Sequence, residues 1–189
     1  STAWLALELG EVIKNEDWVL VNGTSNGWAR RLWDFSKPNQ YLGASGGAGV
    51  GYGSSAAIGA ALALKGTGKF AVGIQSDGDM LMTSSSLWTA AKHRIPLLMV
   101  MHNNQSFYNS EEHGIEVAKF RKRPVENAGI GTHVDDPAVD FAKMAQSFGV
   151  SAEGPVHNPA DLRPALERGL KYVKEKQLPY LVDVISEPR

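Results

Sequence analysis

The sequence predicts an α/β domain, a three-layer doubly wound fold with a mostly parallel sheet and helices on both faces. Three observations carry this. Short apolar runs alternate with helical periodicities along almost all of the 189 residues. The strongest strand candidate, Leu97-Leu98-Met99-Val100-Met101, is apolar at consecutive positions, the pattern of a strand covered on both sides. Seven of the 20 glycines lie between Gly43 and Gly59, a local excess that marks one place of close backbone approach. No repeat or linker interrupts the pattern, and the length suits one domain over residues 1–189.

The elements follow in chain order. Ser1-Thr2 can cap a helix carrying Trp4, Leu5, Leu7, Leu9, Val12 and Ile13. Residues 18–21 read as a short buried strand, closed by a turn-rich segment at 22–27. Residues 40–42 form a weaker strand candidate that leads into the glycine cluster. The alanine-rich stretch 54–64 predicts a helix, stopped by Lys65-Gly66-Thr67-Gly68. Residues 70–75 read as a strand, 83–94 as a helix with Thr83 or Ser84 at its N-cap, and 97–102 as a strand. Mixed charge and weak period over 107–132 predict a long loop holding one helix. Residues 136–148, 151–156, 159–176 and 180–186 then read helix, strand, helix, strand.

Composition excludes several classes. Lys+Arg 19 against Asp+Glu 20 gives a net charge of −1, without the basic excess that drives nucleic-acid binding. The longest strongly apolar stretch, 95–101, contains Pro96 and is too short to span a bilayer, and no signal-like segment opens the chain. Cysteine is absent, which removes disulfides, thiolate metal sites and cysteine nucleophiles together. The expectation is a cytoplasmic protein with a small-molecule ligand, no nucleic acid and no membrane. The chain begins Ser1-Thr2 without an initiator Met, as a processed or truncated piece of a longer protein would.

Ligands of doubly wound sheets sit beyond the C-terminal ends of the strands. Three turn-rich segments arrive there, 23–27, 76–79 and 103–106, with the glycine cluster as a fourth. The cluster 43–53 exposes backbone N–H groups and the positive end of a helix, which suits phosphate. It matches neither G-x-G-x-x-G nor G-x-x-x-x-G-K-[ST], and taken alone it fits tight strand–helix packing equally well. Ser76-Asp77-Gly78-Asp79 places carboxylates at a strand's end, as a hard cation such as Mg²⁺ requires. An EF-hand is excluded, because the twelfth position counted from Asp77 is Trp88; an Asx turn with Asp79 capping a helix is the plainer alternative. Asn103-Asn104 ends the next strand, with Asn104 27 residues after Asp77. A strand–helix–strand unit takes about that length, so both motifs reach one sheet edge on neighbouring strands.

These residues resemble a known family. Asp77-Gly78, the 24 residues 79–102 and then Asn103-Asn104 are similar to the thiamine-diphosphate motif G-D-G-x(24–30)-N-N. Residues 45–59, SGGAGVGYGSSAAIG, resemble the S-G-G-x-G-x-G-x-G-x-P-A-A-I-G stretch of acetolactate-synthase-like enzymes, over nearly the whole chain as that family's C-terminal diphosphate-binding domain. The resemblance implies thiamine diphosphate and Mg²⁺ as cofactors. It implies Asp77, the Asn104 side chain and the Ser106 carbonyl as metal ligands, and backbone N–H groups around Gly78 and Asp79 on the diphosphate. Thr24, Ser25 and Asn26 would add diphosphate contacts. Val50, beside Gly49, would be the aliphatic wedge that bends the cofactor, and Phe107 would lie over it near the metal loop.

Three departures stand out: Ser76 replaces the motif's first glycine, Ser54-Ser55 replaces Leu-Pro and loosens the helix start, and the wedge is the smaller Val50. A larger one is that the family's pyrimidine-binding domain, which supplies an activating Glu across a chain interface, is absent from this chain. No catalytic residue is therefore assigned here, and the expected partner is that domain or subunit in a homo- or hetero-oligomer. The implied activity makes or breaks C–C bonds next to a carbonyl, as in acetolactate synthases, 2-oxo acid decarboxylases or acyloin lyases. A non-catalytic nucleotide- or phosphate-binding module and a regulatory subunit are the other readings. His113, in the polar loop with Glu111 and Glu112, is a possible substrate-side residue. His102 reads as structural, Trp28 and Trp33 as packing residues, and 119–124 as a solvated basic face.

Overall fold

The computed structural model describes residues 1–21, 25, 27–43 and 50–187. The chain runs α1 (Thr2–Ile13), β1 (Trp18–Leu20), α2 (Ala29–Leu32), α3 (Tyr52–Leu64), β2 (Phe70–Ser76), α4 (Asp77–Met82), α5 (Ser86–Lys92), β3 (Leu98–Asn103), α6 (Tyr108–Phe120), α7 (Phe141–Ser147), β4 (Ser151–Val156), α8 (Pro159–Lys176) and β5 (Tyr180–Ile185). The five strands form one sheet in the order β1-β2-β3-β5-β4, every pair parallel. Strand residues alternate between two cores. Leu20, Val72, Ile74, Leu98, Val100 and Val182 pack with α1 and α8 on one face. Val19, Ala71, Met99, Met101 and Leu181 pack with α3, α5 and α7 on the other. Apolar residues at both parities are what the consecutive apolar runs required, and the doubly wound expectation holds.

Differences from the sequence reading have local causes. The candidate strand at 40–42 is a single parallel bridge, Leu20 to Tyr41. Left-handed backbone at Asn39 (φ 63°) and Gly43 (φ 88°) leaves too short an extended run between them. The helix expected over 83–94 is α5, which begins only at Ser86 with Ser85 as its N-cap; a further short helix not expected there, α4, precedes it and starts at Asp77 directly from β2. Thr83 is diverted, its Oγ1 donating to the Gly51 carbonyl at 2.8 Å. The helix expected from 136 starts at Phe141, because the Asp140 carboxylate caps it by accepting the Lys143 N–H at 2.8 Å. Trp33 serves packing: its indole N–H donates to the Ala6 carbonyl at 2.7 Å and its ring meets Trp18 edge-on. Trp28 is partly exposed, with the Arg31 guanidinium 5.0 Å from its ring centre.

Candidate functional site

The parallel register pairs Ser76 with His102. Adjacent strands therefore deliver Asp77 and Asn103-Asn104 side by side at the C-terminal edge, as the spacing predicted. Asp77 is wholly buried. Its Oδ1 accepts the Gly78 N–H at 2.8 Å and its Oδ2 the Ser106 N–H at 3.3 Å. Burial raises the pKa of this carboxyl, and the backbone donors only partly offset that. The Asn104 amide is also buried. One terminal atom of that amide faces three acceptors: the Ser106 carbonyl at 2.9 Å and both Asp77 oxygens at 3.1 Å. Two chemistries resolve such a cluster. With its NH₂ on that side the amide donates to all three; with its oxygen there, a cation among the oxygens satisfies them. One carboxylate, one amide oxygen and one carbonyl form the oxygen-only donor set of a hard cation, and the residues fit Mg²⁺. Among the described residues there is no group of three or more His, Cys, Asp or Glu placed to hold a metal.

The loop carrying Ser106 is held from outside by a strap that sequence reasoning missed. Phe107 N–H donates to the Thr132 carbonyl at 2.7 Å, Val134 N–H to the Gln105 carbonyl at 2.8 Å, and Ser106 bridges His133 in antiparallel fashion. Ser106 Oγ donates to Glu111 at 3.2 Å, and His133 Nε2 lies 3.3 Å from the same carboxylate oxygen. Gln105 sits at φ 57°, so the turn between Asn104 and Ser106 is imposed by these neighbours. Asp183 was missed as well. Fully buried on β5, its carboxylate accepts from Asn103 Nδ2 at 3.1 Å and Phe141 N–H at 3.0 Å, fixing the residue before Asn104. Burial pushes its pKa up to about 6. An acidic residue inside an apolar strand was the one signal available.

The remaining expected positions divide. The Phe107 ring lies so close to Gly78 that a Cβ there would come within 2.5 Å. The Gly78 N–H, expected on the diphosphate, donates here to Asp77. Asp79 uses its side chain: Oδ1 accepts the Gly51 N–H at 2.6 Å and Oδ2 the Gly53 N–H at 2.9 Å. It caps α3, not a helix of its own, and Ser54 Oγ lies 2.8 Å from Ser86 Oγ, so the helix start is tied where the sequence suggested loosening. Val50 is 77% exposed at φ 53°. For a β-branched residue that backbone costs about 1–3 kcal/mol. Ser25 is half-buried, its N–H 3.5 Å from the Ile74 carbonyl. Thr24, Asn26 and Gly49 lie outside the described residues. His113 is exposed on α6, where its Nδ1 meets the Asn109 carbonyl one turn back at 2.8 Å. His102 lies 2.8 Å from Thr2 Oγ1 on α1, and burial lowers its pKa to about 4.

Comparison with known proteins bears on this edge directly. The family model described as "Thiamine pyrophosphate enzyme, C-terminal TPP binding domain" matches residues 22–184. Acetolactate synthase 1, chloroplastic, of Nicotiana tabacum is 27% identical over 188 residues, covering 95% of this chain and 26% of that protein. The probable acetolactate synthase large subunit of Methanocaldococcus jannaschii is 27% identical over 182 residues, covering 96% and 28%. This chain thus spans about a quarter of the length of the relatives it matches. The same fold occurs in the thiamine diphosphate-dependent 4-hydroxybenzoylformate decarboxylase of Rhodococcus jostii RHA1, with a TM-score of 0.77 at 20% identity over 99% of this chain and 32% of that one. With the family match covering both strand ends that carry Asp77 and Asn104, the chain belongs to the C-terminal thiamine pyrophosphate-binding domains of thiamine pyrophosphate enzymes.

Proposed function

We propose that this chain is the diphosphate- and Mg²⁺-binding half of a thiamine diphosphate-dependent enzyme that makes or breaks C–C bonds next to a carbonyl. The observation that carries the proposal is the convergence of the buried Asp77 carboxylate, the Asn104 amide and the Ser106 carbonyl on one point at the ends of two adjacent strands. Asp77, Asn104 and the Ser106 carbonyl would hold the cation, with the 132–134 strap and Glu111 fixing the loop. Ser25, Thr24 and Asn26 would line the diphosphate from the neighbouring strand, with Gly78 and Asp79 at the start of α4. Val50 would press on the middle of the cofactor from the end of the glycine cluster, and Phe107 would back the loop against Gly78. The cofactor, when bound, supplies carbanion chemistry; this chain binds, orients and keeps water from it.

The activating Glu would come from a pyrimidine-binding domain or subunit, and acetolactate synthase-like, decarboxylase and lyase activities all suit this half. The absence of cysteine and the lack, among the described residues, of a helix long and apolar enough to cross a membrane support a cytoplasmic site of action. Calorimetric titration of the assembly that contains this chain tests the reading. Mg²⁺ with thiamine diphosphate is expected to bind more tightly than Mg²⁺ with ADP. Equal or tighter binding of ADP would overturn the proposal in favour of a nucleotide-binding module.

A further inference from the structure

Asp79 stands two residues after Asp77 on α4, yet both oxygens of its carboxylate are committed elsewhere, to the N–H groups of Gly51 and Gly53. The N–H of Gly51 belongs to the Val50–Gly51 peptide. On its other side, the Gly51 carbonyl accepts from Thr83 Oγ1 at the C-cap of α4. A Cβ on Gly51 would come within 2.6 Å of Thr83 Cγ2 and 3.1 Å of Met82 Cβ, so the turn is pressed against α4 as well as bonded to it. Two consecutive residues there have positive φ, Val50 at 53° and Gly51 at 83°.

Capping explains why a carboxylate meets the first N–H groups of α3. It does not explain why the residue before them is β-branched, held in left-handed backbone, and 77% exposed. A strained backbone persists where its surroundings over-determine it. Here the surroundings are α4, the helix whose first residue is Asp77.

Resting on the function proposed above, we infer that Asp79 is a positioning residue, which locks the Val50 turn to the helix bearing Asp77. Metal site and apolar wedge thereby keep one fixed separation. The part of the ligand that Val50 presses on is selected by the same rigid unit that holds its diphosphate. The Asp79 side chain acts on both only through the Gly51 and Gly53 N–H groups; the group proposed on the diphosphate is its backbone N–H, which a side-chain change leaves in place.

The test compares two ligands in the assembly that contains this chain, each with Mg²⁺: thiamine diphosphate and inorganic diphosphate, which lacks everything Val50 could press on. Asp79→Asn keeps the size of the side chain but loses one acceptor. It is expected to weaken thiamine diphosphate about 10- to 100-fold, the span of one charge-assisted hydrogen bond, and inorganic diphosphate less than about threefold. In a Val50→Ala background the same change is expected to cost thiamine diphosphate less than about threefold, because the side chain it positions is gone. Thr83→Val, which removes the second tie without touching a charge, is expected to shift the ratio in the same direction by at least about threefold, and serves if Asp79→Asn does not fold. Equal weakening of both ligands, no shift in the ratio, or a loss that persists undiminished without the Val50 side chain would each overturn the inference. If the wild-type protein binds neither ligand with Mg²⁺, the parent reading of the site fails, an outcome distinct from any result on Asp79.

Discussion

The Asp183 carboxylate offers a stability test whose size follows from its surroundings. It is fully buried, and two donors, Asn103 Nδ2 and Phe141 N–H, hold it with no cationic side chain paired to it among the described residues. Burial outweighs those donors and raises its pKa from 3.8 to about 6. In the unfolded chain the group ionises near its ordinary value, so between pH 4 and 6 the unfolded state releases a proton that the folded state keeps. Stability from this group is therefore fully present below about pH 4 and is lost as pH rises through 6. A little over two decades in proton affinity corresponds to about 3 kcal/mol at roughly 1.4 kcal/mol per decade. Asp183→Asn does not titrate. Measured by urea denaturation from pH 4 to 7, the stability of the variant relative to wild type is expected to rise by about 3 kcal/mol. Taking the difference removes the groups that titrate the other way, such as Glu153, whose pKa the Arg168 guanidinium lowers. Two parallel pH profiles, with a constant offset, would refute the assignment of a buried carboxylate with a raised pKa.

Other outcomes follow from packing and from the glycine turn. Phe141 is fully buried against the β5 side of the sheet, so Phe141→Ala is expected to lower unfolding stability by about 3–5 kcal/mol while keeping its N–H on Asp183. Gly51→Ala meets both a positive φ and the Thr83 methyl at 2.6 Å, and is expected to cost about 1–3 kcal/mol in denaturation midpoint measurements. Gly43→Ala, at φ 88° with no atom of the described residues within 4 Å of the added Cβ, is expected to cost only about 1 kcal/mol, the backbone share of the same effect.

The sheet and the two strand ends were legible because each is written locally. Consecutive apolar residues over 97–101 demand cover on both faces, and the spacing from Asp77 to Asn104 is one strand–helix–strand unit. α8 was legible from its first residue to its last, since Asn158 caps it, Pro159 opens it and its apolar stripe is regular. What escaped is held by pairings between distant residues that leave no period. Asp79 finds Gly51 across 28 positions, and Asp183 finds Phe141 across 42. The strap at 132–134 meets the 105–107 loop through backbone groups, which any sequence carries. α6 buries none of its residues, so it shows no apolar stripe, and its Glu111 could not be distinguished from neighbouring Glu112. The start of α4 at Asp77 was hidden because strand and helix meet with no connecting residue.

The central claim is that Asp77 and Asn104 hold a cation that in turn holds a diphosphate. Its most direct test is calorimetric titration of thiamine diphosphate into the assembly containing this chain, with and without Mg²⁺, for the wild type and Asp77→Ala. The account predicts saturable binding that requires Mg²⁺ in the wild type and weakens by about 100-fold or more in the variant, as loss of a charged ligand to the metal implies. Binding that is equally strong without Mg²⁺, or unchanged by removing the Asp77 carboxylate, would contradict it.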